Sequence, residues 1–212
     1  MDFRSVLDLL VNGMKHPLPG KKAQLSMSPN PVDLRRFDPK LPDNHRKGSV
    51  LILLYPNEDK AFFPLIKRPV YQGVHSGQIA FPGGKMEDED ADEVETALRE
   101  AWEEVNIRPE QVKLIGRMSE LFIPTSNFLV SPIIGYAEEV PDFVPEKKEV
   151  DRIIQTAVSV LYEPEIRKQK ILEFSNNFQL DTPYFEVDQE MVWGATAMIL
   201  NEFLQILENG KK

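Results

Sequence analysis

Arg99, Glu100, Glu103 and Glu104 stand together in a stretch that reads Leu98-Arg99-Glu100-Ala101-Trp102-Glu103-Glu104-Val105. The three glutamates are spaced i, i+3 and i+4, which puts them on one face of a helix. Carboxylates crowded in this way repel one another unless a cation sits among them. Hard divalent ions with oxygen ligands, above all Mg²⁺, are the natural occupants. A charged helix face alone is usually just solvated. Here a diglycine turn, Gly83–Gly84, feeds the helix directly, and the combination points to a metal site.

The elements around these residues follow from patterning. Asp90 or Asp92 can cap the helix N-terminus. Val94, Ala97, Leu98, Ala101, Trp102 and Val105 recur at helical spacing and form an apolar stripe turned away from the acids. That stripe predicts Leu98 and Trp102 in the core. Glu93 falls on the acid face two turns earlier, either solvated or an outer metal ligand. Asn106 stands where a helix ends in the left-handed conformation, which Asn tolerates. Residues 49–55 and 61–68 read as paired strands joined by the turn Pro56–Lys60, and residues 77–81 as a short strand before the glycines. Strands are expected near 112–123 and 127–136, followed by a polar loop at 138–148. A strand and short helix fit 149–163, and two strands fit 170–187. A closing helix from about Ala195 to Leu207 carries Met198, Ile199, Phe203 and Ile206 on one side, with Gly194-Ala195-Thr196 opening it. Strands with two flanking helices make an α/β sandwich rather than a regular βα alternation.

The chain has 212 residues and a formal net charge of −9. One domain is the prior at this length. The acidic balance argues against general nucleic-acid binding, and an acidic protein that handles phosphates needs divalent cations to neutralise both partners. Cysteine is absent, which removes disulfides, thiolate metal sites and a thiol nucleophile, and suits a reducing cytoplasm. The N-terminus reads as a short amphipathic helix rather than a signal peptide. No apolar run approaches the ~20 residues of a membrane span. Residues 15–47, rich in Pro, Lys, Asp and Asn, are expected to wrap the surface irregularly. The division expected is 1–47 as a helix and wrapping segment, and 48–208 as the catalytic unit of the same domain.

The arrangement Gly84, five residues, Asp90, eight residues, then Arg99-Glu100-Ala101-Trp102-Glu103-Glu104-Val105-Asn106-Ile107 resembles the Nudix box, G-x5-E-x7-R-E-U-x-E-E-x-G-U, where U is bulky and apolar. Asp90 replaces the first Glu with one extra residue after it, Asn106 replaces the late Gly, and Ala101 is smaller than usual. Upstream, Arg68 and the stretch His75-Ser76-Gly77-Gln78-Ile79-Ala80-Phe81-Pro82-Gly83-Gly84-Lys85 are similar to the coenzyme A pyrophosphatase branch. The likeness continues through 124–136, 149–150 and 184–200. One position departs: Gly73 stands about where many members carry Arg.

The resemblance implies a Nudix α/β/α sandwich, a mixed sheet flanked by the box helix and a C-terminal helix. It implies a Mg²⁺- or Mn²⁺-dependent hydrolase that cleaves the diphosphate of CoA or acyl-CoA to 3′,5′-ADP and 4′-phosphopantetheine. Glu100, Glu103, Glu104 and the backbone of Gly84 would hold metal, and Arg99 would buttress the glutamates. Glu100, Glu104 or the distant Glu149 would serve as general base. Arg68, His75 and Lys85 would meet the small nucleotide substrate. The alternatives are a Nudix pyrophosphatase of ADP-ribose, NADH or a dinucleoside polyphosphate, and a non-catalytic nucleotide sensor. Neither nucleic acid nor membrane is an expected partner.

Overall fold

The computed structural model describes residues 1–38, 40–73, 75–174 and 178–212. The chain begins with α1 (Phe3–Gly13), α2 (Gly20–Leu25) and a 3-10 turn (Leu34–Phe37). It continues through β1 (Arg46–Asn57), β2 (Lys60–Lys67), β3 (Ile79–Ala80), β4 (Gly83–Lys85) and α3 (Glu93–Val105). Then come β5 (Lys113–Arg117), β6 (Leu121–Ile123), β7 (Phe128–Tyr136), β8 (Arg152–Ala157), β9 (Arg167–Glu173), β10 (Gln179–Val187), β11 (Glu190–Trp193) and α4 (Gly194–Asn209).

The middle of β1, residues 50–55, is apolar at every position because both its faces are covered. Leu51, Leu53 and Tyr55 pack beneath α3, whereas Ile52 and Leu54 alternate to the other face, among residues of α1 and α4. Period-two alternation of side chains makes one strand serve two cores. β1 runs parallel to β7 and antiparallel to β2 and β4, so the 8-stranded sheet is mixed. A separate 3-stranded antiparallel sheet, β9–β10–β11, leads into α4. The result is the expected α/β/α sandwich. Among the described residues, no helix is long and apolar enough to cross a membrane.

Several local expectations change. The 112–123 strand is two pieces, β5 and β6, which pair successive stretches of β7 with a register shift between Leu114 and Gly116. The glycines expected in a turn form β4, paired with Gly48–Val50. β11 is a third strand beyond the two expected after residue 170, and α2 adds helix to the segment read as irregular. Trp102 is 54% exposed rather than core. The surface of α3 that meets the sheet is narrow, built on Ala97, Ala101 and Val105, and small alanines let the helix approach β1. Trp102 lies one residue further round and falls outside that contact.

α4 is buried on nearly every side, including two polar residues, Asn201 and Glu202. The N-terminal segment covers it. Glu202 accepts hydrogen bonds from the Gln24 amide at 2.9 Å, the Gly20 N–H at 3.1 Å and the Ser119 N–H at 3.3 Å. The Asn201 amide donates to Ala23 O at 2.7 Å. Removing the Glu202 carboxylate would strand these donors inside the protein. We therefore expect Glu202→Ala to cost about 2–4 kcal/mol, a fall of roughly 5–15 °C in melting temperature. A circular-dichroism melt reads the effect, and an unchanged midpoint would contradict this packing role.

Candidate metal-dependent hydrolase site

The start of α3 is organised by two aspartates with different tasks. Asp92 is the N-cap: its Oδ1 accepts from the N–H groups of Val94 at 2.9 Å and Glu95 at 3.0 Å. Asp90 is buried and faces Arg99 instead. Arg99 Nε and Nη2 donate to its two oxygens at 2.8 and 2.9 Å, and the Thr96 hydroxyl and Glu87 N–H complete the set. Such a fork-on-carboxylate pair is strong and directional. The Arg99 guanidinium, together with the other donors, holds the Asp90 carboxyl well below the usual carboxylate range, and Arg99 is raised in turn. Held this way, Arg99 extends Nη1 to Glu100 Oε1 at 3.0 Å and Glu103 Oε2 at 3.2 Å, and Nη2 to the Lys85 carbonyl at 3.0 Å. Glu93 is not free in solvent. It pairs with Arg117 at 2.8 Å and Lys47 at 3.8 Å.

The three box glutamates share a helix face but not an environment. The Glu103 side chain is 59% exposed, that of Glu100 13%, and Glu104 is 1% exposed as a residue. β4 causes this gradient by lying against α3. The Gly83 N–H donates to Glu104 Oε2 at 2.8 Å. Gly83 has φ 150°, and a Cβ there would strike the backbone of Ser49 and Val50. A Cβ on Gly84 would land on the Glu100 carboxylate. Only glycine admits the first approach, whereas a side chain at position 84 would push the Glu100 carboxylate aside. Burial first, and the Glu100 and Glu149 charges after it, push Glu104 up to about 8 against the opposing pull of the Gly83 N–H and Arg68. Burial raises Glu100 as well.

Glu149 reaches this cluster through the 138–149 loop, which is stapled to the open end of α3. The Val144 and Glu146 N–H groups donate to the carbonyls of Val105 and Glu104, and the Asn106 amide donates to the carbonyl of Asp142. A helix C-terminus leaves its last carbonyls without internal partners, and here the loop supplies them. Asn106 adopts φ 60°, ψ 30°, the left-handed cap expected. Glu149 thereby acts electrostatically on both Glu100 and Glu104.

On the other side of β4 lies a cavity of about 850 Å³. Gly83, Gly84 and Lys85 form part of its wall together with Arg68 and His75. His75 has φ 68° and its Nδ1 bonds Gln78 Oε1 at 2.9 Å. Arg68 Nε is buried without a hydrogen-bond partner. The structure thus brings Arg68, His75 and Lys85 to one cavity, and Glu100, Glu103, Glu104 and Glu149 together behind the glycine strand. Among the described residues, no three acidic or histidine side chains converge on one point as a metal shell. Arg99 spans Glu100 and Glu103, and Glu104 is turned onto Gly83. The donor set nonetheless suits a hard divalent cation: all oxygen, anionic, and destabilised by burial and mutual repulsion. Sequence reasoning missed the Asp90–Arg99 lock, for which the eight-residue spacing gives no helical register.

Residues 45–173 match the family model of the NUDIX domain. The chain belongs to the Nudix family. The match contains every residue of the acid cluster and of the glycine strand. Among the relatives, "Uncharacterized Nudix hydrolase NudL" of Photorhabdus laumondii is 31% identical over 86% of this chain and 92% of its own length. "Nudix hydrolase 15, mitochondrial" of Arabidopsis thaliana is 32% identical over 84% of this chain and 62% of its own length. Among solved structures, a MutT/nudix family protein from Enterococcus faecalis superposes with a TM-score of 0.54 over 80% of this chain and 65% of its own, at 13% identity. That last likeness bears on the fold alone. The protein is a Nudix hydrolase, and hydrolysis of a pyrophosphate linkage in a nucleoside diphosphate derivative, with divalent metal ions, is the activity that membership carries.

Two outcomes test the electrostatics. Asp90→Asn removes the buried anion that grips Arg99 Nε and Nη2, leaving Glu100 and Glu103 on Nη1 alone, and is expected to cost about 2–3 kcal/mol. Because the Asp90 pKa is lowered on folding, its contribution is present above its ordinary value of 3.8 and is lost as pH falls through the folded value. The stability gap between wild type and variant should therefore be full at pH 6 and narrow in acid. Glu104 has the opposite sign. Its pKa rises on folding from 4.5 to about 8, so its contribution is present below 4.5 and is lost as pH rises through 8. In the presence of a chelator, the melting temperature of Glu104→Gln should gain on wild type between pH 5 and 9. A constant difference would contradict the burial assigned to this carboxylate.

Proposed function

We propose that this chain cleaves the diphosphate linkage of CoA or acyl-CoA to 3′,5′-ADP and 4′-phosphopantetheine. The observation that carries this reading is the cavity. It meets the box at Gly83–Lys85, has cationic Arg68 and Lys85 in its wall, and continues along apolar surface formed by Phe81, Phe128, Leu180 and Trp193. A diphosphate seated at the glycine strand leaves room on that surface for the nucleoside and the thiol-bearing arm. The similarity of Arg68 and residues 75–85 to CoA-cleaving Nudix hydrolases supports the same substrate. Residues 1–47 are read as part of the same unit as 48–208, since Glu202 and Asn201 tie α2 to α4. A reducing cytoplasm is the compartment that goes with this reading and with the absence of cysteine.

Glu100, Glu103, Glu104 and the Gly84 carbonyl are the groups that would hold the cation. A bound Mg²⁺ or Mn²⁺ supplies charge neutralisation at the diphosphate and lowers the pKa of water. The protein's own residues do the rest. Asp90 fixes Arg99, and Arg99 lessens the repulsion between Glu100 and Glu103. Gly83 keeps Glu104 pointed at the glycine strand. Arg68 and Lys85 neutralise the diphosphate oxygens, and His75 orients the substrate beside them. Water attacks one phosphorus, the bridging P–O bond breaks, and a carboxylate takes the proton. Glu149 suits that last role, being exposed, beside Glu100 and Glu104, and without a side-chain hydrogen bond among the described residues.

Gly73, which lines the cavity where many CoA-cleaving relatives carry Arg, makes other nucleoside diphosphate derivatives the reading to test alongside. The experiment is a panel of CoA, acetyl-CoA, ADP-ribose, NADH and diadenosine tetraphosphate with Mg²⁺ or Mn²⁺, products separated by chromatography and weighed by mass spectrometry. CoA is expected to give the two named products, and Glu104→Gln to lower turnover by at least about 100-fold. Faster cleavage of another panel member would overturn the CoA assignment. An absence of any turnover would favour a nucleotide sensor.

A further inference from the structure

The 3-10 turn Leu34–Phe37 brings two adjacent arginines to the same cavity, and they differ in one respect. Arg35 has its anion: Nε and Nη2 donate to the two Asp33 oxygens at 2.9 and 2.7 Å. Arg36 has none. Its Nη1 is buried without a hydrogen-bond partner, and among the described residues its side chain forms no ion pair. Loss of water lowers the Arg36 pKa, with only the already occupied Asp33 to oppose it. A desolvated guanidinium with no counter-charge is costly. It persists in a cavity wall when a ligand supplies the missing anion.

The position of Arg36 separates that anion from the scissile diphosphate. The 3-10 turn packs on β6. From β4 the ladder runs through β1 and β7 to β6, pairing Lys85 with Gly48, Gly48 with Val130 and Val130 with Leu121. Three inter-strand steps amount to about 14 Å. Arg68 stands at the end of β2, on the opposite side of β1 from β7. That backbone span leaves room at Arg36 for a second anionic group of the ligand, apart from the diphosphate at the glycine strand. A planar guanidinium with free donors matches the oxygens of a phosphate monoester.

We propose that Arg36 is a specificity-determining residue that binds a phosphate monoester carried by the substrate remote from the diphosphate. The inference rests on the nucleotide-cleaving reading above and narrows it to doubly phosphorylated nucleotides. A residue outside the matched Nudix segment, which begins at residue 45, then selects the substrate that the box cleaves.

The test uses full-length protein with two readouts. In the first, isothermal titration compares 5′-AMP with adenosine 3′,5′-bisphosphate and 2′,5′-bisphosphate. Wild type is expected to bind one bisphosphate at least about tenfold more tightly than AMP, and Arg36→Gln to abolish the preference. In the second, the ratio of kcat/KM for CoA over dephospho-CoA is expected to fall by at least about tenfold in Arg36→Gln. The ligand-free variant should melt no lower than wild type, because no bond is lost. Equal binding of all three nucleotides by wild type, or an unchanged CoA preference in the variant, overturns the inference. The two readings separate cleanly. An Arg36-dependent bisphosphate preference without CoA cleavage would sink the CoA assignment alone, and CoA cleavage indifferent to Arg36 would sink this one alone.

Discussion

A carboxylate folded into the protein interior is the constraint around which the rest of this structure is arranged. Glu104 sits at the edge of the surface that α3 presses onto the sheet, where charge is unwelcome. It is tolerated because β4 offers it one backbone N–H, and β4 can do so because Gly83 has no Cβ to strike β1. The same strand, at Gly84, lies directly on Glu100. One short glycine strand therefore fixes two of the acids and also forms the wall of the cavity. The acids and the cavity therefore meet at one strand.

Repulsion among the acids is handled by an outside anchor. Arg99 lies among carboxylates that would draw it in several directions. Its orientation is settled by Asp90, which is buried and bound on both oxygens. The guanidinium is thus a fixed charge rather than a mobile one, and Glu100 and Glu103 are arrayed against it. The exposed Glu103, bound through a single long contact, is the least constrained of the three acids.

The N-terminal segment belongs to the site as much as to the scaffold. α1 and α2 cover α4, and the link that follows carries Arg35 and Arg36 to the cavity. The bonds from Glu202 and Asn201 give this segment a fixed seat. The cavity is lined both by NUDIX-matched residues and by residues that precede them.

The sequence by itself determined the elements whose causes are local. The apolar stripe and Asn106 placed α3 and its left-handed end. Two apolar runs and the Pro56–Lys60 turn placed the β1–β2 hairpin, and the spacing of Glu100, Glu103 and Glu104 named the acids. Only the tertiary structure decided which of those acids is buried, that Trp102 faces solvent, that Asp90 holds Arg99 rather than capping the helix, and that Arg36 faces the cavity. The physical reason is the same each time. Helical period sets the angle between side chains but not which side is covered, and coverage here comes from chain far away in sequence: β4, the 138–149 loop and the N-terminal segment.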